Sequence, residues 1–578
     1  MNVRTRFVPG DVPLNEYPRP QLVRGAWQNL NGRWDYAVRP AGDGAPERWD
    51  GAILVPFCIE SELSGVQRAL RPGEALWYRR RFSVDGLGGG RRVLLHFGAV
   101  DERCRIWVNG CEAGGHTGGY LPFTLDITEL VAAQENTLCV CVRDDTGAHG
   151  EAHGKQSLTP GGIWYTAVSG IWQTVWLEVV PQNHIRALAV TPSLTGLRIA
   201  ADVCGEGELR VSVYDGDEAV ASGAGRGEVR LSIPSPHLWS PEDPHLYRLA
   251  VAFGEDRVES YAALRTFGVG PDEHGVPRLL LNGRPYFQRG LLDQGYWPDG
   301  LYTAPTDEAL CSDIQAAKAL GFNMLRKHVK VEPARWYYHC DRLGMLVWQD
   351  MPNGGTRAMT FANVALPYLG VHVRDGDRRR FGREDKAVRR QFLDELRALV
   401  LALYSAPCIC MWVPFNEGWG QFDSAGAAAL VRELDATRPV DAASGWHDQG
   451  AGDLVSVHRY VLRLKAPRRR DARAFCLTEY GGYSCALPGH LWREAEGKKG
   501  FGYRMYKDEA ALTRAWRALH ARQVQPLISA GLSACIYTQL TDVEGEVNGL
   551  FTYDRAVCKL DAEAVRQENR ALYLPQET

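Results

Sequence analysis

No run of eighteen apolar residues occurs in the 578-residue chain, which leaves no candidate for a membrane-spanning helix. The opening segment MNVRTRFVPGDVPLNEYPRP holds charges and prolines but no apolar stretch of the kind that builds a secretory leader, so none is expected there. Charge of one sign is lacking too, since 66 Lys and Arg stand against 69 Asp and Glu for a formal net charge of -3. That balance gives no electrostatic case for nucleic acid or an anionic membrane as the main partner. No Gly-x-Gly-x-x-Gly follows a strand-like run and no P-loop motif occurs, which removes the usual dinucleotide and phosphate cradles. Cys139/Cys141 and Cys408/Cys410 are C-x-C pairs, but no second pair at ligand spacing follows, so no metal site is expected.

What is present is an ordinary globular composition, 45% hydrophobic and 23% charged, long enough for roughly two to four domains. Seventeen tryptophans are more than core packing usually asks for and suggest flat apolar surfaces. Most of the 14 cysteines lie in apolar, strand-like runs, which reads as reduced, buried thiols in a cytoplasmic protein.

The chain changes grammar twice. Up to residue 182 it is antiparallel β: WYRRRFSV, RRVLLHFGAV, CRIWVNG and TLCVCVRDD are short β-rich runs, and Asn109-Gly110 is a two-residue hairpin signal. IWQTVWLEVV alternates Ile171, Gln173, Val175 and Leu177 with Trp172, Thr174, Trp176 and Glu178, as a strand in a sandwich would, with Trp172 and Trp176 expected in its core. From 183 to 269, six or seven further short strands at regular spacing fit an immunoglobulin-like sandwich.

Beyond 270, helical stretches at 306–321, 384–405 and 507–531 alternate with eight apolar strand candidates. These begin at Tyr286, Phe322, Leu346, Cys408, Arg438, Leu454, Ala474 and Ser533, the pattern of a (β/α)8 TIM barrel. In such a barrel function gathers where strands end, and those ends are polar. The first leads into Asp293, Tyr296 and Trp297, the second carries Arg326 and His328, and the third ends at Asp350. The fourth ends at Asn416-Glu417, the sixth at His458 and Tyr460, the seventh at Glu479, and the eighth near Gln539 and Asp542.

Glu417 and Glu479 each close an apolar strand and precede glycines, and the ends of strands four and seven face each other across a barrel mouth. Two carboxyls so placed suit glycoside hydrolysis, one donating a proton to the leaving oxygen and the other attacking the anomeric carbon or activating water. Read singly, either acid is equally well a helix-cap neighbour or an ion-pair partner. Asn416 reads as a turn former or as a partner of the sugar hydroxyl beside the anomeric carbon. Arg326 reads as an orienter of a carboxylate, and His458 as a hydroxyl ligand or a satisfied strand-end histidine. Trp297, Trp419 and Trp446 are the candidate sugar platforms.

With these residues in view, the chain resembles glycoside hydrolase family 2, the group of β-galactosidases, β-glucuronidases and β-mannosidases. GGIWYTAVSGIWQTVWLE is similar to the signature ending the family's N-terminal sugar-binding sandwich, and 321–350 to its barrel around strands two and three. MWVPFNEG and CLTEYGG are similar to its acid/base and nucleophile signatures. The resemblance implies a jelly-roll-like sandwich (1–182), an immunoglobulin-like sandwich (183–269) and a catalytic barrel (270–578). It also implies a retaining mechanism, with Glu417 as acid/base and Glu479 as nucleophile. Asp293, Arg326, Asn416, Trp419, Trp446, His458, Tyr460 and Gln539 are then the expected substrate-binding residues. No cofactor or metal is implied, and a homodimer through the first sandwich is the expected assembly.

The proximity of Glu479's charge is expected to raise the pKa of Glu417. Where the family's β-glucuronidases carry an Asn-x-Lys pair, this sequence has Glu546 and Asn548, which disfavours a glucuronide. The expected activity is therefore exo-cleavage of a neutral β-glycoside, first a β-galactoside. β-Glucuronidase, β-mannosidase, and α-L-arabinosidase or galactofuranosidase are alternatives, and so is a non-catalytic carbohydrate-binding protein on a hydrolase scaffold. Loops 351–383 and 483–506 are long enough to wall the mouth into a pocket.

Overall fold

The computed structural model describes residues 3–356, 361–467, 471–492 and 500–574. Its first unit is a sandwich of two antiparallel sheets. Six strands (Gly51–Val55, Gly32–Pro40, Glu74–Phe82, Asn136–Arg143, Arg103–Val108, Cys111–Thr117) face four (Trp27–Asn29, Val175–Val180, Arg92–Phe97, Phe123–Asp126). Along Arg103–Val108 burial alternates residue by residue, which turns Cys104, Ile106 and Val108 onto a core shared with Trp34, Leu76, Tyr78, Leu95, Val140 and Leu177. The hairpin turn falls on Asn109 and Gly110 at φ 51° and 82°, the left-handed pair that a two-residue turn requires.

The other face of Val175–Val180 is not open to solvent. Trp176 stacks on His96 at 4.7 Å, and Glu178 accepts from Tyr17 Oη at 2.6 Å, Arg19 at 3.0 Å and Arg24 at 2.5 Å. Arg24 also meets both oxygens of Asp256, at 3.0 and 2.7 Å, in the second sandwich, so one buried guanidinium fastens the two units. Replacing Arg24 by methionine leaves two buried carboxylates without their shared cation and should cost about 3–5 kcal/mol. The expected result is a lower urea midpoint for the β units by tryptophan fluorescence; an unchanged midpoint would show that the clasp carries no stability.

The second unit packs a three-stranded sheet (His184–Pro192, Gly196–Cys204, Glu228–Ser232) on a four-stranded one (Glu218–Gly225, Leu209–Asp215, Tyr247–Phe253, Asp256–Ala262), all antiparallel. Ile185, Ile199, Val211, Val213, Leu249 and Val251 fill it. It docks on the barrel through Asp341, which accepts from Tyr261 Oη at 2.7 Å and from the backbone N–H of Cys408 at 2.6 Å.

The third unit is a curled, TIM-barrel-like parallel sheet. Its seven strands are Gln288–Asp293, Met324–Lys327, Leu346–Asp350, Ile409–Val413, Leu454–Arg459, Ala474–Gly481 and Leu532–Thr538. In barrel order the sheet runs fourth, third, second, first, eighth, seventh, sixth. The fifth expected strand, from Arg438, reduces to two isolated parallel bridges, Trp412 with Val440 and Asn416 with Ser444. Pro439 has no N–H to donate to a ladder, and side chains add to the few backbone bonds that hold the segment: Val440 N–H donates to Asp453 Oδ2 at 2.8 Å and Asp441 accepts from Ser456 at 2.7 Å.

The barrel helices start where sequence places them. Thr306, Asp385 and Asp508 accept first-turn N–H groups, and the stretch from Glu509 continues past Leu519 through a π turn at His520–Val524. Trp172 and Trp297 both belong to the barrel-side core. Trp172 therefore seals the first sandwich against the barrel rather than filling the sandwich, donating its indole N–H to Gly119 O at 2.8 Å. Trp297 packs under Arg555, 4.0 Å from its ring centre, and Phe7, and so is a core residue and not a sugar platform. No helix among the described residues is long and apolar enough to cross a membrane, and all fourteen cysteines are free thiols.

Candidate active site

The fourth strand is buried on both faces and runs through Pro414 and Phe415 into a tight turn. Glu417 sits there at φ 51°, a left-handed conformation rare for a non-glycine residue, held by its N–H donating to Ser444 O at 3.0 Å. Gly418 follows at φ 73°, and any side chain on it would meet His447 at 2.7 Å. The turn thus forces the carboxyl inward. The sixth strand delivers His458 and then Tyr460, the seventh Glu479, and the second Arg326.

These side chains converge. One oxygen of Glu417, one of Glu479 and a ring nitrogen of His458 lie within 4.8 Å of one another. Tyr460 Oη is 2.6 Å from Glu479 Oε2 and 3.2 Å from Glu417 Oε1, bridging the two acids. Arg326 is fully enclosed: it pairs with Asp350 at 2.9 and 3.1 Å, and donates to Glu479 Oε1 at 3.3 Å and to Asn416 Oδ1 at 2.8 Å. Burial opposes its charge, but Asp350 and Glu479 outweigh burial and hold the guanidinium above its ordinary range. His458 Nδ1 lies 2.8 Å from Glu417 Oε1, while Nε2 faces Arg326, which can only donate, at 3.4 Å. Nε2 is therefore the acceptor and Nδ1–H the donor to Glu417. Burial lowers the His458 pKa to about 4, so the ring is neutral at neutral pH.

Glu417 is raised to about 7. Burial is the largest cause; the charge of Lys155, a hydrogen bond from Tyr460 and the charge of Arg326 pull the other way, and Glu546 adds to the rise. The sequence-level expectation that Glu479's charge drives the shift thus gives way to desolvation. One carboxyl that keeps its proton near neutrality, beside another held by a guanidinium and a phenol, is a pair able to donate a proton and attack carbon. Among the described residues, Glu417, His458 and Glu479 are also the one group of three donors close enough to share an ion.

The other expected residues fall in different places. Trp419 lies two residues past Glu417, with its ring 5.9 Å from His328 and 5.5 Å from Trp164. Trp446 is 6.5 Å from the His458 ring and 6.0 Å from Tyr368. Gln539 donates to Asn548 at 2.8 Å, which donates to Glu546 at 2.9 Å. Asp293 is placed elsewhere, salt-bridged to Lys327 at 2.6 Å in a cluster with Glu332. Its strand-end position is the same as that of a site residue, but a lysine claims its carboxylate.

Parts of the two expected wall loops, 357–360 and 493–499, lie outside the described residues. In the described parts, Tyr503 stacks on Tyr460 with ring centres 4.0 Å apart. Sequence reasoning leaves open whether the first sandwich lends a loop to the site, and names none of the residues that do so. Trp164 reaches Trp419, Tyr165 Oη donates to Glu546, Thr166 N–H donates to Glu544 at 2.8 Å, and Lys155 sits over the rings of Tyr165 and Trp419. The GGIWY run was visible as a signature, but nothing in its pattern says that it enters the barrel mouth.

Three family descriptions match the chain in series: glycosyl hydrolases family 2, sugar binding domain, over 27–181; glycosyl hydrolases family 2 over 184–269; and glycosyl hydrolases family 2, TIM barrel domain, over 278–478. A β-galactosidase of Thermoanaerobacter pseudethanolicus is 23% identical over 432 residues, 70% of this chain and 54% of that protein. The chain spans about half or less of the length of several curated relatives it matches. Among solved structures, the β-D-glucuronidase of Dictyoglomus thermophilum superposes with a TM-score of 0.75 at 18% identity, covering 96% of this chain and 98% of that one. The β-galacturonidase of Eisenbergiella tayi bound to galacturonate gives 0.72 at 20% identity, covering 96% and 99%.

Proposed function

The chain belongs to glycosyl hydrolase family 2, and on that premise we propose that it is a retaining, exo-acting glycosidase with Glu479 as nucleophile and Glu417 as acid and base. The observation that carries this is the carboxyl pair, oxygens within 4.8 Å, with the proton retained on Glu417. Retaining pairs lie about 5–5.5 Å apart, and inverting pairs about 6.5–9.5 Å, to admit a water.

In the first step Glu479 attacks the anomeric carbon as the bond to the glycosidic oxygen breaks, and Glu417 gives that oxygen its proton. In the second, Glu417 as carboxylate takes a proton from water, whose oxygen displaces Glu479 and restores the original configuration. Arg326 and the Tyr460 hydroxyl hold the Glu479 carboxyl in place, and neutral His458 fixes the Glu417 carboxyl. Asn416 Nδ2, buried with no partner among the described residues, is free to meet the neighbouring sugar hydroxyl.

For the sugar, relatives named β-galactosidase support the neutral reading, and those named β-glucuronidase or β-galacturonidase support an acidic one. The acidic reading has the better support, because the proteins matched along nearly their whole length carry those names. The free thiols favour a reducing compartment.

Initial rates on nitrophenyl β-galactoside, β-glucuronide, β-galacturonide, β-mannoside and α-L-arabinosides, with Glu479→Gln as the blank, test the proposal. One dominant signal that vanishes in the variant is the expected result. Silence throughout would favour a carbohydrate-binding protein on a hydrolase scaffold.

A further inference from the structure

We propose that the sugar removed carries a carboxylate and that Lys155, lent by the first sandwich to the barrel mouth, is the side chain that reads it; this rests on the glycosidase reading above. Four lysines are buried among the described residues. Three have a carboxylate at hand: Lys327 with Asp293 at 2.6 Å, Lys330 with Glu332 at 2.8 Å and Lys559 with Asp542 at 2.6 Å. Lys155, only 6% exposed, has none. Its Nζ lies 5.5 Å from the ring centre of Tyr165 and 5.8 Å from that of Trp419, and makes no hydrogen bond or ion pair with any described residue. A largely enclosed lysine with no carboxylate beside it is a ready partner for a ligand that supplies one.

The neighbouring unpaired group has the same polarity. Trp419 Nε1 is buried without an acceptor among the described residues. With Lys155, in the bend just before the short strand Gln156–Ser157, it makes two groups that can only donate. A carboxylate offers acceptors only. The position is electrically part of the site, since the Lys155 charge acts on both Glu417 and His328.

The barrel segment equivalent to the Asn-x-Lys pair of the family supplies no cation. At the segment where the resemblance places an Asn-x-Lys pair stand Glu546 and Asn548, and the two oxygens of Glu546 are taken by Tyr165 Oη and Asn548 Nδ2. Glu546 thereby holds the ring over which Lys155 lies. Among the described residues, the cation set beside this segment is thus the sandwich's Lys155. Glu546 is a fixture of that arrangement rather than a bar to it.

The test compares kcat/KM for nitrophenyl β-glucuronide and β-galacturonide with that for nitrophenyl β-galactoside and the methyl ester of the glucuronide, which keeps the shape and loses the charge. The wild type prefers one of the acids to its neutral counterparts. Lys155→Gln lowers that ratio by roughly 10- to 150-fold, mostly through KM, and Lys155→Arg, which keeps the charge, retains most of it. Thermal melts of both variants separate a lost contact from a lost fold.

A second arm leaves Lys155 in place: Glu479→Gln should bind free glucuronate or galacturonate more tightly than galactose by calorimetry, by roughly the same factor. A wild type that prefers neutral sugars, or a ratio unmoved in Lys155→Gln while Glu479→Gln is dead, overturns the proposal and leaves the glycosidase reading standing. Equal calorimetric affinities also overturn it. Failure to cleave any glycoside brings down both.

Discussion

Replacing Glu479 by glutamine should reduce turnover of every glycoside the protein cleaves by roughly 10^4- to 10^6-fold. The substitution is nearly isosteric, and Arg326 keeps its pairing with Asp350, so the protein should fold. What disappears is the oxygen that attacks carbon, and no other acid in the convergent group can take its place, because Glu417 holds a proton near neutrality. A sharper form of the same prediction uses Glu479→Gly. Azide entering the vacated face should restore turnover of an activated β-glycoside and give the α-glycosyl azide, the configuration opposite to the substrate's. A β-azide, or a glutamine variant within tenfold of wild type, would assign the attacking group elsewhere.

The second large effect belongs to Glu417. Glu417→Gln should lower kcat by roughly 10^2- to 10^4-fold, and unevenly. A dinitrophenolate leaves without a proton, so the first step survives and the glycosyl-enzyme accumulates because no base activates water. KM should then fall along with kcat. Poorer leaving groups need the acid and should lose the first step as well.

The pH profile carries the same signature. Burial raises the carboxyl to about 7, and the general acid works only while protonated. Wild-type kcat/KM on an unactivated glycoside should therefore hold below that value and fall as pH rises through it. In Glu417→Gln this limb should vanish. His458 is not its source, since burial keeps that ring neutral from about pH 4 upward. A limb near 7 that persists in the variant would locate the titrating group in another residue.

Much of this was legible in the residues. Asn109-Gly110 marked the hairpin because few other pairs take two left-handed conformations in a row. Glu417 and Glu479 stood out because a strand buried on both faces has no reason to end in an acid unless the acid is used or paired. Seven of the eight barrel strands lie where apolar runs placed them, and the remaining one, the fifth at Arg438, was weakened by its own Pro439.

Other features were not legible, because they depend on contacts between distant segments. Asp293 and Glu479 look alike at strand ends, and only Lys327 distinguishes them. Trp297 and Trp419 both precede polar turns, and only Arg555 and Phe7 show that the first is core. The rise in Glu417 comes chiefly from how deeply the turn buries it, which no pattern encodes. Lys155 lies in a Gly-Lys-Gln segment without periodicity, in a different unit from the acids it influences.

The central claim is that Glu479 forms a covalent bond to the sugar. A 2-deoxy-2-fluoro β-glycoside of the preferred sugar with a dinitrophenyl leaving group slows both steps, but the second more when the leaving group is this good, so the intermediate should persist. Mass spectrometry of the intact protein followed by peptide mapping should find one fluoroglycosyl adduct, on the peptide that contains Glu479, and none in Glu479→Gln. An adduct on another residue, or first-formed product of inverted configuration with no adduct, would contradict the account.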